Sequence, residues 1–340
     1  MCAYGVSIAC SSTLLPDGWP AEPFWGPAWL SFYEDAIVHT PRYLLLTRDG
    51  EAVGAAVCAL DTHLYFPYPA GAARRLVQHF FRSRVLAVEL PTLEQPGVWL
   101  RPDYAAEAAP RLAEALLALA VESHRPLILM PYLDAQPQTT CAGWTGYLSQ
   151  PAENDACMAI EAASLEDYLA GLPRDMRQDL RRTPRAAERA GLQVERIAPD
   201  DRRGPQLLAL MAQVHHHFGE GTLPLLPGVL TALARLPYAA LRIVHDGARI
   251  YACGALLADG ALGTLKFFGL DYAARFHRLQ ALLYLAAIED AIGAGVRRLW
   301  LGTTHAEEKT RVLGAMPVPR MRRASGRGLY RAMLYALGMR

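Results

Sequence analysis

Residues 240–257 read ALRIVHDGARIYACGALL, in which the turn residues His-Asp-Gly separate two apolar runs. Residues 43–60 repeat this arrangement as YLLLTRDGEAVGAAVCAL, with Arg-Asp-Gly at the turn. Asp-Gly between apolar runs is typical of a β-hairpin, because glycine adopts positive φ at little cost. The chain is therefore expected to contain the same hairpin twice.

The elements that follow each hairpin are repeated as well. A helical stretch at 104–124 precedes an apolar strand at 126–130, and a second helical stretch at 279–294 precedes a strand at 296–301. The order of hairpin, helix and strand thus occurs twice, which indicates two copies of one domain. We expect an α/β protein with tandem domains at 1–150 and 151–340, each a mixed sheet flanked by helices, joined through the polar stretch at 134–155.

Local signals place further elements. Residues 23–36 predict an aromatic-rich core helix, and Ser164 is a good N-cap for a short helix that ends near Gly171. Residues 174–190 are helical but contain Pro184, and proline after threonine suits a helix start, so two helices are expected to meet there. A strand at 192–197 and a helix at 204–218 follow.

Composition excludes several classes of protein. Lys plus Arg is 34 and Asp plus Glu is 33, so contact with nucleic acid would need a local basic patch. The six cysteines form no CxxC pair, which favours a reducing compartment and no metal site. No apolar run approaches the roughly 18 residues of a membrane span, and a cytoplasmic protein is expected. A Gly-x-Ser-x-Gly hydrolase motif and a Walker loop are also absent.

One local basic patch exists on the stretch 174–190. Arg174, Arg177, Arg181 and Arg185 are spaced three, four and four residues apart, which places them on one face of a continuous helix. Such a face suits phosphate, because guanidinium groups bind it through paired hydrogen bonds. The alternative is a solvated face whose partners are Asp175, Asp179 and Glu188.

Only two of the 34 basic residues are lysines, Lys266 and Lys309. Lys309 follows the strand at 296–301, where a positioned ammonium could stabilise the oxyanion of acyl transfer; the alternative is a surface lysine paired with Glu307 or Glu308. Lys266 lies within the apolar strand LGTLKFFGL and either extends to a polar surface or is partnered in a cleft.

Two histidines are candidate proton acceptors. His217 ends a helix beside Gly219 and Glu220; the alternative is an interaction with the helix macrodipole. His305 lies just after a predicted parallel strand, where α/β folds place their sites. The tract His215–His217 predicts no metal site, because consecutive helical residues point in three directions.

Three stretches together resemble the GNAT-fold acyltransferase superfamily, in its branch of Fem-type aminoacyltransferases and their CelD-like, BioF-like relatives. They are LPRDMRQDLRRTPRAAERAGLQVERI (172–197), HHHFGEGTLPLLPGVLTALARLP (215–237) and FFGLDYAARFHRLQALLYLAAIEDAIGAGVRRLWLGTTHAEEKTRVLGA (267–315). The resemblance implies two tandem GNAT-like domains, with the site in the C-terminal one. It also implies transfer of an aminoacyl group from aminoacyl-tRNA to an amine or hydroxyl of a small metabolite or cell-wall precursor.

The resemblance also implies roles for individual residues. Lys309 and Lys266 would stabilise the oxyanion, and His217 or His305 would remove the acceptor's proton. Phosphate and substrate contacts would come from Arg177, Arg181, Arg185, Asp271, Tyr272 and Arg278. For Asp271 and Tyr272, a merely structural role at the start of the helix at 279–294 is the alternative.

The sequence departs from the GNAT pattern after Arg278, where Leu-Gln-Ala-Leu-Leu lacks the glycines that surround the pyrophosphate of acyl-CoA. This favours aminoacyl-tRNA as the donor, with no cofactor beyond that co-substrate. Two alternatives stay open: an acyl-CoA-dependent N-acyltransferase, and a non-catalytic GNAT-fold binding protein in polysaccharide or envelope assembly.

Overall fold

The computed structural model describes residues 3–37, 39–60, 83–134, 144, 146–217, 225–274, 276, 278–303 and 306–340. The chain divides into two compact units, the first made of 1–153 and 319–340 and the second of 154–318. None of the helices in these described ranges is both long and apolar enough to cross a membrane.

The first unit is a sheet with helices packed against it. Its strands are β1 (Tyr4–Ala9), β2 (Thr40–Arg48), β3 (Glu51–Leu60), β4 (Val85–Leu90), β5 (Gln95–Pro96), β6 (Val98–Leu100), β7 (Leu127–Asp134), β8 (Leu148–Pro151) and, from the C-terminal segment, β16 (Arg320–Gly326). Its helices are α1 (Pro27–Ala36), α2 (Ala105–Glu122) and α9 (Leu329–Ala336). As expected for the aromatic stretch, α1 buries Trp29, Phe32 and Tyr33 in the core.

The second unit repeats this architecture. Its strands are β9 (Asp155–Ala159), β10 (Gln193–Ile197), β11 (Ala239–His245), β12 (Ile250–Asp259), β13 (Leu262–Leu270), β14 (Arg298–Gly302) and β15 (Met316–Val318). Its helices are α3 (Leu165–Gly171), α4 (Arg174–Arg189), α5 (Gly204–His217), α6 (Val229–Leu233), α7 (Leu279–Gly293) and α8 (Ala306–Leu313). The side chain of Ser164 caps α3 by accepting a hydrogen bond from the Asp167 amide, as predicted.

Both sheets follow the same path. The first runs β1-β2-β3-β4-β7-β16-β8 and the second β10-β11-β12-β13-β14-β9-β15. In each, the fourth and fifth strands are parallel and all other neighbours on the path are antiparallel. This confirms the predicted fold class, an α/β protein with two mixed sheets flanked by helices.

The division into units differs from the predicted domains, 1–150 and 151–340, at the C-terminus. Strand β16 lies between β7 and β8 of the first sheet, and its register pairs Arg320 with Asp134 and Gly326 with Leu127. Residues 319–340 therefore complete the sheet of the first unit. The stretch RMRRASG shows little hydrophobic pattern, which is why its strand was not predicted.

The two hairpins form at the predicted places with different turns. Asp49 (φ 51°) and Gly50 (φ 86°) make a two-residue turn in which both residues are left-handed. In the second hairpin four residues connect the strands, and the Asp246 carboxylate accepts hydrogen bonds from the amides of Ala248 and Arg249. A longer loop thus replaces the tight turn there.

The arginine-rich stretch is one helix, α4, and the prediction of two helices that meet at Pro184 is wrong. Leu180, Thr183 and Ala187 are buried along one face of α4, where Leu180 packs with residues of α7 and α8. The hydroxyl of Thr183 donates to the Asp179 carbonyl one turn earlier. This packing keeps α4 continuous at Pro184, which has no amide hydrogen to donate to the helix.

Replacing Pro184 tests how far tertiary packing compensates for the cost of a proline inside a helix. Pro184→Ala restores the amide that can donate to the Leu180 carbonyl and removes the ring that crowds the preceding turn. We expect the free energy of unfolding, measured in urea, to rise by about 1–3 kcal/mol. An unchanged or lower value would mean that α4 is built around the proline.

Candidate functional site

The candidate site lies where two parallel strands of the second sheet separate. Strands β13 and β14 pair from Leu262 with Arg298 to Thr264 with Trp300, and their register extends no further over the described residues. Strand β13 nevertheless continues for six more residues, to Leu270. A gap between parallel strands at their carboxyl ends is where open α/β sheets bind ligands.

A β-bulge shapes β13 at this gap. Ala255 of β12 faces Lys266 and Cys253 faces Gly269, so that both Phe267 and Phe268 stand opposite Gly254. Phe267 takes a left-handed conformation, with φ 59°. Bulges re-aim the side chains beside them and bend the strand. Here the bulge directly follows Lys266, whose side chain is only 9% exposed.

Helix α5 lies directly on the same part of β13. A Cβ atom on Gly269 would come within 2.7 Å of the Leu210 Cβ atom and 2.6 Å of the Cys253 Sγ atom. Only glycine fits there, and the helix is held close to the strand. The C-terminal end of α5 carries His217.

Lys309, from α8, is buried at the end of β14. Its Nζ donates hydrogen bonds to the carbonyls of Leu301, at 2.5 Å, and Gly302, at 3.0 Å. The side chain is 5% exposed, so the alternative of a surface lysine paired with a neighbouring glutamate is wrong. Lys266 on β13 and Lys309 at the end of β14 are thus both buried beside the gap between these two strands.

His217 and Tyr272 form a stacked pair. Their ring centroids are 4.0 Å apart and the ring planes differ by 14°. Tyr272 is 45% exposed, and partial burial raises the pKa of its phenol. The pair connects the end of α5 to the loop after β13. The other candidate base, His305, lies outside the described residues.

Two of the predicted substrate-binding residues have structural contacts. Asp271 is buried and accepts hydrogen bonds from the Arg249 guanidinium at 2.5 Å and from the Ala273 amide at 3.0 Å. Arg278 precedes α7 and pairs with Asp179 at 2.6 Å, while it also donates to the Thr183 hydroxyl. Arg278 therefore fastens α4 to the start of α7.

The arginines of α4 divide into engaged and open groups. Arg177 donates to the Ala170 carbonyl and Arg181 pairs with Glu166, so the acidic residues named as alternative partners bind neither side chain. Three further arginines on or beside this face are exposed, and their side chains make no hydrogen bond or ion pair with any described residue: Arg174, Arg182 and Arg185. These three are the cations that α4 offers to an anion.

Sequence analysis missed a buried ion pair that supports the site. Asp290, in the last turn of α7, accepts two hydrogen bonds from Arg242 of β11, at 2.7 and 2.8 Å. These hydrogen bonds raise the pKa of Arg242. An acidic residue within the apolar stretch 279–294 was the available signal. The pair fixes α7 against the sheet on the side away from β14.

The family comparisons agree with this geometry. Residues 174–310 match the Acetyltransferase (GNAT) domain family. The chain contains a GNAT domain. The match covers both lysines, the bulge and the arginine helix, and it makes the second unit an acyltransferase domain of the GNAT type. The comparison with curated proteins found no match.

Solved structures resemble this chain over both units. A structure of FemX aligns with a TM-score of 0.60 at 11% identity, covering 90% of this chain and 92% of that one. A tandem GNAT protein from the clavulanic acid biosynthesis pathway gives 0.56 at 13% identity, with 95% and 99% covered. The structure of L-PGS from Bacillus licheniformis gives 0.52 at 12% identity, with 83% and 84% covered. These likenesses establish a tandem GNAT fold.

The environment of Arg278 predicts a mainly structural role for that residue. Arg278→Met removes its ion pair and its hydrogen bonds to α4, and both partners are about half exposed, so solvent screens the loss. We expect the free energy of unfolding to fall by about 1 kcal/mol, against no change for Arg311→Met at an exposed position of α8. Unchanged stability with a raised KM would instead support the substrate contact that the family resemblance implies.

Proposed function

We propose that the protein transfers an aminoacyl group from aminoacyl-tRNA to an amine or hydroxyl of a small metabolite or cell-wall precursor. The observation that carries the proposal is the buried ammonium of Lys309 at the open end of β14, with Lys266 buried across the gap. An ammonium held in one place is suited to a charge that develops only during reaction.

In the proposed reaction the acceptor's nitrogen or oxygen attacks the ester carbonyl carbon of aminoacyl-tRNA. A tetrahedral intermediate forms, and Lys309, or Lys266, stabilises its oxyanion. The bond to the ribose oxygen then breaks, and that oxygen leaves with a proton as the tRNA hydroxyl. His217 or His305 takes the proton that the acceptor loses. No ATP is needed, since the ester is already activated.

The charge on α4 supports an RNA donor. Three exposed arginines of α4 make no hydrogen bond or ion pair with any described residue, and guanidinium groups bind phosphates well. Arg177 and Arg181, named as RNA contacts from the sequence, are engaged within the protein, so Arg174, Arg182 and Arg185 take the larger share. An exposed stack of His217 on Tyr272 adds an aromatic surface of the kind on which bases pack.

An acyl-CoA donor is the second candidate, favoured by the match to an acetyltransferase domain. Against it, α7 begins Leu-Gln-Ala-Leu-Leu, and Leu279, Leu282 and Leu283 are buried. No glycine in this turn lets backbone amides approach a diphosphate closely. A non-catalytic binding protein is the third candidate, in which Lys309 would serve only to satisfy the carbonyls of Leu301 and Gly302.

Lys309→Arg tests the proposed oxyanion role. A guanidinium is too wide and planar to replace an ammonium between two carbonyls at the end of a strand. We expect kcat/KM for aminoacyl transfer from charged tRNA to a small amine to fall about 10²-fold or more, as for loss of one oxyanion donor. Lys266→Arg is expected to have the milder effect.

Melting temperatures of both lysine variants separate lost catalysis from misfolding. Near wild-type turnover for Lys309→Arg with an unchanged melting point would remove the proposed catalytic group. The same assay with acetyl-CoA as donor is expected to give no transfer, and transfer from acetyl-CoA alone would favour the second candidate.

The open arginines predict a specific salt dependence. In Arg182→Ala/Arg185→Ala, two phosphate contacts are lost, so tRNA should bind more weakly and the slope of log K against log salt should flatten by about 1–2. Arg111→Ala, an exposed arginine on α2 in the first unit, is the matched control. Equal slopes for both variants would exclude α4 as an RNA surface.

A further inference from the structure

A cavity of about 320 Å³ lies in the first unit between the C-terminal half of α2 and the sheet. Its lining comes from α2, from the turn that joins α2 to β7, from the start of β7 and from the end of β16. Sites for small molecules have volumes of about 300–1,000 Å³, so this cavity is large enough for a small ligand. It lies at the amino end of β7, unlike the gap between β13 and β14, which lies toward the carboxyl ends of its strands.

The walls of the cavity are apolar. Leu117, Ala120 and Val121 line it from α2, and their spacing places them on one face of the helix. On the side of the sheet, Ile128 of β7 and Ser325 of β16 are paired directly, so their side chains point to the same face. The small side chains of Ala120 and Ser325 leave space that larger residues would fill.

Val121 shows that the core does not cover this part of α2. Its relative exposure is 52%, whereas Leu116 and Leu119 on the neighbouring face of the helix are buried in the core of the unit. Removing an apolar side chain from water is favourable. A ligand with an apolar part would therefore gain by covering Val121.

The mouth of the cavity is cationic. His124 and Arg125 lie in the turn after α2, and Arg327 directly follows β16. The Arg125 guanidinium donates to the Ser83 carbonyl, which holds it at this turn, whereas Arg327 is exposed and makes no hydrogen bond or ion pair with any described residue. No acidic side chain is among the described residues that line the cavity; Glu122, nearby in sequence, lies outside it. These charges complement an anionic group.

His124 takes a backbone conformation that usually belongs to glycine. Its φ is 55°, and it directly follows Ser123, the C-cap of α2. The His124 amide donates to the Val121 carbonyl and the Arg125 amide to the Ala120 carbonyl, a helix ending in which glycine commonly takes the left-handed position. A side chain at such a position costs stability, and residues of this kind concentrate at functional sites. Here the side chain is an imidazole at the mouth of the cavity.

We propose that this cavity binds an aliphatic carboxylate of medium chain length. The chain would lie against Leu117, Ala120 and Val121, and the carboxylate would remain at the mouth. Arg327 would bind it through paired hydrogen bonds, and His124 would supply a further donor. The site belongs to the first unit and does not rest on the proposed aminoacyl transfer.

Calorimetric titration of the full-length protein with octanoate at pH 7 tests the site. Each methylene group that is buried strengthens binding about fourfold, so hexanoate should bind about 15-fold more weakly than octanoate. Octylamine has the same chain and the opposite charge, and it should bind about tenfold more weakly or worse. No octanoate binding up to about 10 mM, or equal affinities for octanoate and octylamine, would overturn the proposal.

Two variants with matched controls locate the ligand. Val121→Trp fills the cavity and should weaken octanoate binding about tenfold or more, whereas Ala118→Trp, at an exposed position of α2 outside the cavity, should bind as wild type. Arg327→Glu should weaken octanoate about tenfold or more without weakening octylamine. Arg311→Glu, an equal change of net charge at an exposed position of α8, should affect neither ligand. Wild-type octanoate affinity in folded Val121→Trp or in Arg327→Glu would overturn the site.

His124→Gly should separate stability from binding. Glycine suits the left-handed position, so the melting temperature is expected to stay the same or to rise. Octanoate affinity is expected to fall about threefold or more, because a donor at the mouth is lost. A lower melting temperature with unchanged octanoate affinity would contradict the role given to His124.

Discussion

Two hydrogen bonds from the Lys309 ammonium close the end of β14, where that strand no longer has β13 beside it. Backbone carbonyls that leave a sheet ladder inside a protein need another donor. The flexible side chain of Lys309, from α8, supplies this donor without widening the gap between β13 and β14. The bulge after Lys266 completes the separation from the other side, because it turns β13 away at the same level. The gap between the strands, and hence the candidate site, depends on these two local features.

The two sheets have the same strand order, but the fourth strand is interrupted differently in each unit. A one-residue bulge next to a buried lysine opens the second sheet, whereas residues 89–97 leave the first sheet beside a buried glutamate, Glu89. Burial makes a charged side chain costly unless other groups interact with it, and Lys266 does interact with other groups of the protein.

Local signals in the sequence were sufficient for much of the fold. Asp-Gly turns predicted both hairpins, and Ser164 predicted the start of α3. Long-range effects decided the rest: β16 pairs with β7 although more than half of the chain's length separates them, and buried contacts keep α4 continuous through Pro184. Of the candidate site, the two lysines were recognisable because they are rare. A structural role was an alternative for Asp271 but not for Arg278, and the partners of both, Arg249 and Asp179, could not be identified because they are distant in sequence.

The presence of only two lysines allows one measurement that addresses the central claim directly, namely that the donor binds at the gap between β13 and β14. In protein labelled with ¹⁵N at lysine Nζ, the side-chain signals come from Lys266 and Lys309 alone. Our account predicts that a non-hydrolysable aminoacyl-tRNA analogue shifts both signals and that acetyl-CoA shifts neither. Two unchanged signals in a complex shown by anisotropy to be saturated with the tRNA would contradict it.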